Sequence, residues 1–164
     1  NRLIAEKSRP RADLFWNNEV LQTIRLKDEG VLTPYDSPAR QAIPDQFKDP
    51  DAYWTGFAAR ARVIIYNTEL VRDPPTTVEE LTGEEWRGKA AIAKPLFGTT
   101  STHASAFFAL LGDEAAKDFF QRLKANDVAI LPGNATVRDL VARGEYHVGL
   151  TDTDDANGGV EDGS

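Results

Sequence analysis

The sequence contains no cysteine and no methionine. The first absence excludes a thiolate metal site, a thiol nucleophile and a disulfide framework, and it leaves the compartment open, because cysteine-free proteins occur on both sides of a membrane. The second goes with a chain that opens at Asn1, and it makes an interior piece of a longer polypeptide the expectation; the lack of a recognisable signal peptide then says nothing about targeting. No apolar run approaches the roughly 18 residues needed to span a bilayer. Basic charge is also scarce: 19 Lys and Arg stand against 26 Asp and Glu, a net charge of −7. The basic residues are scattered rather than striped, which argues against nucleic acid and against an anionic membrane surface as partners. A local anion site is not excluded by net charge.

What is present is an ordinary globular mixture, 41% hydrophobic and 27% charged over 164 residues. One large domain or two small ones fit, and a chain of this size buries roughly two thirds of its unfolded surface without metal or disulfide. Leu3 to Lys7 reads as the tail of a helix that Ser8-Arg9-Pro10 breaks. Ala12 to Trp16 reads as a buried strand, and Val20, Leu21, Ile24 and Leu26 as a short helix that Gly30 ends. Pro34, Pro38, Pro44 and Pro50 make the next stretch an ordered surface excursion anchored by Tyr35, Ile43 and Phe47. Ala61 to Asn67, β-branched and aromatic, is the clearest strand. Thr76 or Thr77 caps a short helix with acids in its first turn, and Trp86 is a core or seam residue.

The stretch from Lys89 to Leu111 organises the rest. Ala90 to Ala93 is a short apolar strand; Pro95, Leu96, Phe97 and Gly98 form a loop; Ala104, Phe107, Phe108 and Leu111 have the spacing of a helix face. Gly98, Thr99, Thr100, Ser101 and Thr102 bring backbone N–H groups and hydroxyls to a helix N-terminus, which favours a negatively charged guest. The alternative is that Thr100 or Thr102 simply caps the helix. After the break at Gly112-Asp113, Ala116, Phe119, Phe120 and Leu123 mark a second helix. Val128 to Leu131 is a strand, and Pro132 to Thr136 repeats the loop and helix start, with Asn134 and Thr136 exposed to a ligand and Thr136 forming a capping box with Asp139. Val137, Leu140 and Val141 are the core face, ended by Gly144. Tyr146 to Thr151 is the last strand, followed by an acidic, glycine-rich loop carrying Asp152, Asp154 and Asp155. Strands alternate with helices, so an α/β sheet is expected with these three loops gathered at the carboxyl ends of its strands.

Arg60 to Thr68, Trp86-Arg87-Gly88-Lys89 before a strand, Pro95 to Thr100, Gly133-Asn134 and Gly149-Leu150-Thr151-Asp152 keep an order and spacing that resembles an extracellular solute-binding protein of a bacterial ABC importer. The branch it resembles is the ferric-iron type of the type 2 periplasmic binding proteins. The resemblance implies two α/β lobes joined by a hinge and closing on a solute held in the cleft. It places residues 1–62 in a partial first lobe and residues 63–164 in a second lobe that is incomplete at its C-terminal end, with about half of such a protein missing. It implies a monomer in the periplasm, or anchored outside the membrane, that delivers its solute to a membrane permease and needs no cofactor or catalytic group.

The resemblance also implies a ligand, ferric iron, whereas the two helix starts, Gly98 to Thr102 and Asn134 to Thr136, suit an anionic, phosphorylated or polyhydroxylated compound better than a bare metal ion. The family's iron binders use two adjacent tyrosines shortly after the strand that here ends at Thr151, where this sequence has Asp152-Thr153-Asp154-Asp155. Carboxylates bind hard cations through oxygen, but Ala156 and Asn157 break the calcium-loop pattern. Arg60 or Arg62 is available as a bidentate clamp, one of the two facing the cleft. His103 and His147 read as packing residues, and Trp16 and Trp54 as seam or stacking residues. Two other classes fit less well. The effector domain of a transcription regulator shares this fold, and a hydrolase would need Ser101 and His103 to act together from one helix start, where they point in different directions.

Overall fold

A computed structural model describes residues 2–96 and 98–161. Phe97, assigned above to the loop before the main helix, lies outside them. The chain divides into two compact units, residues 1–59 and 60–164.

The first unit carries two helices, α1 (Arg2–Ala5) and α2 (Val20–Asp28), the latter ending with Gly30 at φ +63° as its sequence predicts. The proline-rich stretch is ordered into two short 3₁₀ turns, Pro38–Ala42 and Asp45–Phe47. Asp49 ties it down. This buried carboxylate accepts from Lys27 Nζ at 2.5 Å and from the backbone N–H groups of Asp51 and Tyr53, while Arg40 Nη2 donates to its carbonyl. Ala12 to Trp16 is a correction. No strand forms there; Leu14 and Trp16 are 77% and 72% exposed, and the Trp16 ring meets Phe57 with centroids 4.6 Å apart. An apolar run becomes a buried strand only where a neighbouring strand pairs it.

The second unit is a four-stranded sheet with helices on both faces. Its elements are β1 (Arg62–Tyr66), β2 (Ala90–Ala93), α3 (Gly98–Leu111), α4 (Asp113–Ala125), β3 (Ala129–Leu131), α5 (Asn134–Ala142), β4 (Val148–Asp152) and α6 (Thr153–Glu161). The strand order is β1-β4-β2-β3, with β2, β3 and β4 parallel and β1 antiparallel to β4. Parallel strands joined by helices are buried on both faces, and β2 and β4 are buried at every position. One face packs Ile92, Val148 and Leu150 against Leu81, Trp86, Phe119 and Leu123; the other packs Ala91 and Ala93 against Val137 and Val141. Among the described residues no helix is long and apolar enough to cross a membrane.

Three local expectations change. The apolar face of α3 is rotated: Phe107 stacks on Phe119 at 4.6 Å, whereas Phe108 and Leu111 are 36% and 50% exposed. Thr136 caps nothing, because α5 begins at Asn134 after Gly133, and Thr136 lies inside the helix. The acidic stretch is not a loop. Asp152 ends β4 and Thr153 opens α6, whose first turn holds Asp154 and Asp155, where the helix dipole favours acids. The Thr153 backbone N–H donates to the Ala61 carbonyl at 3.0 Å and fixes that start, and the helix runs on through Gly158 and Gly159 despite their low helix propensity.

Candidate functional site

Because β2, β3 and β4 run parallel and β1 runs against them, one edge of the sheet collects three strand ends and the beginning of β1. The register pairs Arg62 with Asp152 directly. Gly98, at φ +61°, lets the chain turn sharply into α3, so Thr99 and Thr100 face this edge from one side and Asn134 from the next helix start.

Asp152 is the centre. Its side chain is fully buried, and Oδ2 accepts from Thr99 Oγ1 at 2.5 Å and from Asn134 Nδ2 at 2.9 Å. Arg60 Nη1 and Arg62 Nη1 stand 3.6 and 3.8 Å from the same oxygen. Arg62 also donates to Asn134 Oδ1 at 3.0 Å, to Thr99 Oγ1 at 3.3 Å and to the Leu150 carbonyl at 3.1 Å; Thr100 Oγ1 donates to Asn134 Oδ1 at 3.2 Å. Oδ1 of Asp152, equally buried, accepts no N–H or alcohol hydrogen among the described residues and faces the neighbouring carboxylates.

Beside it lie two more carboxylates. Oxygen atoms of Asp152, Asp154 and Asp155 fall within 4.8 Å of one another. Asp154 is exposed and pairs with Arg60 Nη1 at 3.1 Å. Burial pushes the Asp152 carboxyl up, but hydrogen bonds from Thr99, Asp155 and Asp154 and the charge of Arg60 outweigh it, and the group ends below its usual value. Asp155 goes the other way, to about 6, through burial first, then its hydrogen bond to Asp152 and the negative charges of Asp152 and Asp154, against a smaller opposing pull from Arg138. Asp155 therefore holds its proton between about pH 4 and 6, where an isolated aspartate has released it.

The structure thus brings together Thr99, Thr100, Asn134, Asp152, Asp154 and Arg60 from the residues singled out in the sequence. Gly98 contributes backbone shape. Ser101, Thr102 and Thr136 lie further along their helices, with Thr102 Oγ1 3.5 Å from the Gly98 carbonyl. Arg60 and Arg62 both reach Asp152, where one was expected to; residues two apart on a strand share a face, and that spacing was the available signal. Asp155 enters through α6, which puts it in the same first turn as Asp154. His103, half-buried, lines an open pocket of about 440 Å³ with Arg62, Pro75, Thr76, Val78 and Leu150. Burial and the nearby Arg62 charge lower its pKa, so its imidazole favours the neutral form.

The mixed α/β sheet, with helix starts and strand ends converging on charged, oxygen-rich side chains, has the fold of one lobe of the type 2 periplasmic binding proteins. The sequence matches the bacterial extracellular solute-binding protein family over residues 10–151, and the chain belongs to that family. It is 28% identical over 152 residues to the Fe(3+)-binding periplasmic protein of Serratia marcescens, covering 92% of this chain and 44% of that protein. It is 26% identical to iron uptake protein A1 of a Synechocystis strain, over 93% of this chain and 43% of that one. Among solved structures, iron-bound HitA from Pseudomonas aeruginosa superimposes with a TM-score of 0.84 at 27% identity, over 93% of this chain and 50% of HitA. The chain therefore spans about half the length of the relatives it matches.

Proposed function

We propose that this chain belongs to the substrate-binding component of a bacterial ABC importer, working in the periplasm as a monomer, and that its solute is a hard, oxygen-seeking cation, ferric iron foremost. The observation that carries the choice of cation is the trio of Asp152, Asp154 and Asp155, whose oxygens lie within 4.8 Å of one another and in which a wholly buried carboxylate oxygen accepts no N–H or alcohol hydrogen among the described residues. Such an oxygen is costly unless something positive completes it. The iron-binding names of the relatives support this reading. An anionic solute fits the edge less well, because the Asp152 carboxylate already takes the donors of Thr99 and Asn134 and faces both arginines.

In this reading residues 60–164 supply one wall of a solute cleft. Capture shifts the population toward a closed form that a membrane permease recognises. Ligation is by carboxylates, with Asp154 and Asp155 beside Asp152 offering oxygens to the ion and Arg60 and Arg62 limiting the net charge of the wall. Calorimetric titration with ferric citrate, with calcium and phosphate as controls, tests it. One saturable site for iron is expected; saturable binding of phosphate alone would contradict the cation assignment.

A further inference from the structure

The sequence leads one to expect a negative guest at the start of α3, and the structure has one already, supplied by the chain itself. We propose that Asp152 is a built-in anion that fills the donor cradle at the strand-end edge, barring anionic solutes from it and leaving the wall selective for cations. The inference deepens the solute-binding reading of the same edge and rests on it.

Four side chains from three separate elements define the cradle. Thr99, at the start of α3, and Asn134, at the start of α5, donate to Asp152 Oδ2 at 2.5 and 2.9 Å. Arg60 and Arg62, leading into and opening β1, approach the same oxygen to 3.6 and 3.8 Å. An amide and a hydroxyl, each at a helix start, and two guanidinium groups converging on one point are a donor set that recognises a phosphate or carboxylate group. Here the recognised group is covalently attached at the end of β4, so it is present at an effective concentration no dissolved anion matches. It is also wholly buried, so an exogenous anion cannot share the position and must displace it. Only one of the two carboxylate oxygens is consumed in this way. Oδ1 accepts no N–H or alcohol hydrogen among the described residues, so the residue that excludes anions keeps an oxygen to offer a cation.

Asp152 is then a specificity-determining residue: its charge decides which sign of solute the edge accepts. The test is calorimetry and thermal shift of the whole chain with inorganic phosphate and no metal, comparing the wild type with Asp152→Ala and Asp152→Asn, with folding checked by circular dichroism. The wild type is expected to show no saturable phosphate binding. Each folded variant should bind phosphate at least about tenfold more tightly than the wild type, and adding Arg60→Ala should reverse the gain. Asp152→Asn preserves side-chain volume and stands in where Asp152→Ala does not fold. Folded variants with no gain overturn the proposal, and so does wild-type phosphate binding that Arg60→Ala removes, an outcome that needs no Asp152 variant. The two readings fail separately. Iron binding by the wild type without a phosphate gain in the variants sinks only the built-in anion. A phosphate gain without wild-type iron binding supports the built-in anion and removes the iron reading.

Discussion

Asp155 keeps a proton that an isolated aspartate would release, and the sign of its effect on stability follows. Its pKa rises from 3.8 to about 6 on folding, so between those values the folded chain binds more protons than the unfolded one, and stability falls as pH rises through that window. Asp152, shifted down, does the opposite: its contribution is present above its ordinary value and is lost as pH falls. Asp155→Asn, which mimics the protonated form, should therefore stabilise the chain at pH 7 by about 1 kcal/mol after allowing for solvent screening, with the gain shrinking toward zero near pH 4. Urea denaturation at the two pH values reads this out. A gain of equal size at both would show that Asp155 is not protonated by folding. The sequence shows the three aspartates as neighbours, but which of them is buried, and which oxygen accepts no N–H or alcohol hydrogen, depends on the register of β4 against β1 and on the start of α6.

At the scale of elements, α5 lies so close to β4 that only glycine fits between them. A Cβ added at Gly149 would overlap Val137 Cγ1 and lie 3.0 Å from Val141 Cγ2. Gly149→Ala should cost about 1–3 kcal/mol by overpacking, measured by chemical denaturation; an unchanged midpoint would mean that α5 shifts freely. On the opposite face, buried Asn126 donates to the carbonyls of Leu81 and Gly83 at 2.9 and 2.8 Å, tying the end of α4 to the 3₁₀ turn Glu79–Thr82. Asn126→Ala leaves both acceptors without this donor and should cost about 2 kcal/mol, against near neutrality if water replaces the amide. These units were readable in the sequence because β2 with α3, and β3 with α5, each show a short apolar run, a glycine-containing turn and a helical period. Two stretches were not. Ala12 to Trp16 has the composition of a strand but no pairing neighbour, and α6 carries Gly158 and Gly159, so its helix does not show in local preference.

For the whole molecule, the account turns on what the carboxylate edge holds. Iron on phenolates would be coloured by charge transfer, whereas iron on Asp152, Asp154 and Asp155 has only carboxylate oxygen around it from this wall; Tyr66, at the far end of β1, is on the wrong edge of the sheet to take part. Iron ligated by these carboxylates alone should show no phenolate band in its visible spectrum, and a strong band would bring in a tyrosine from outside this wall. The most direct measurement is equilibrium dialysis of ferric iron against the wild type and the Asp154→Asn, Asp155→Asn double variant. The account predicts one bound ion per wild-type chain and an affinity lower by about a hundredfold in the double variant, because ligand charge sets affinity for a hard cation. Equal binding by the two proteins, or none by the wild type, would contradict it.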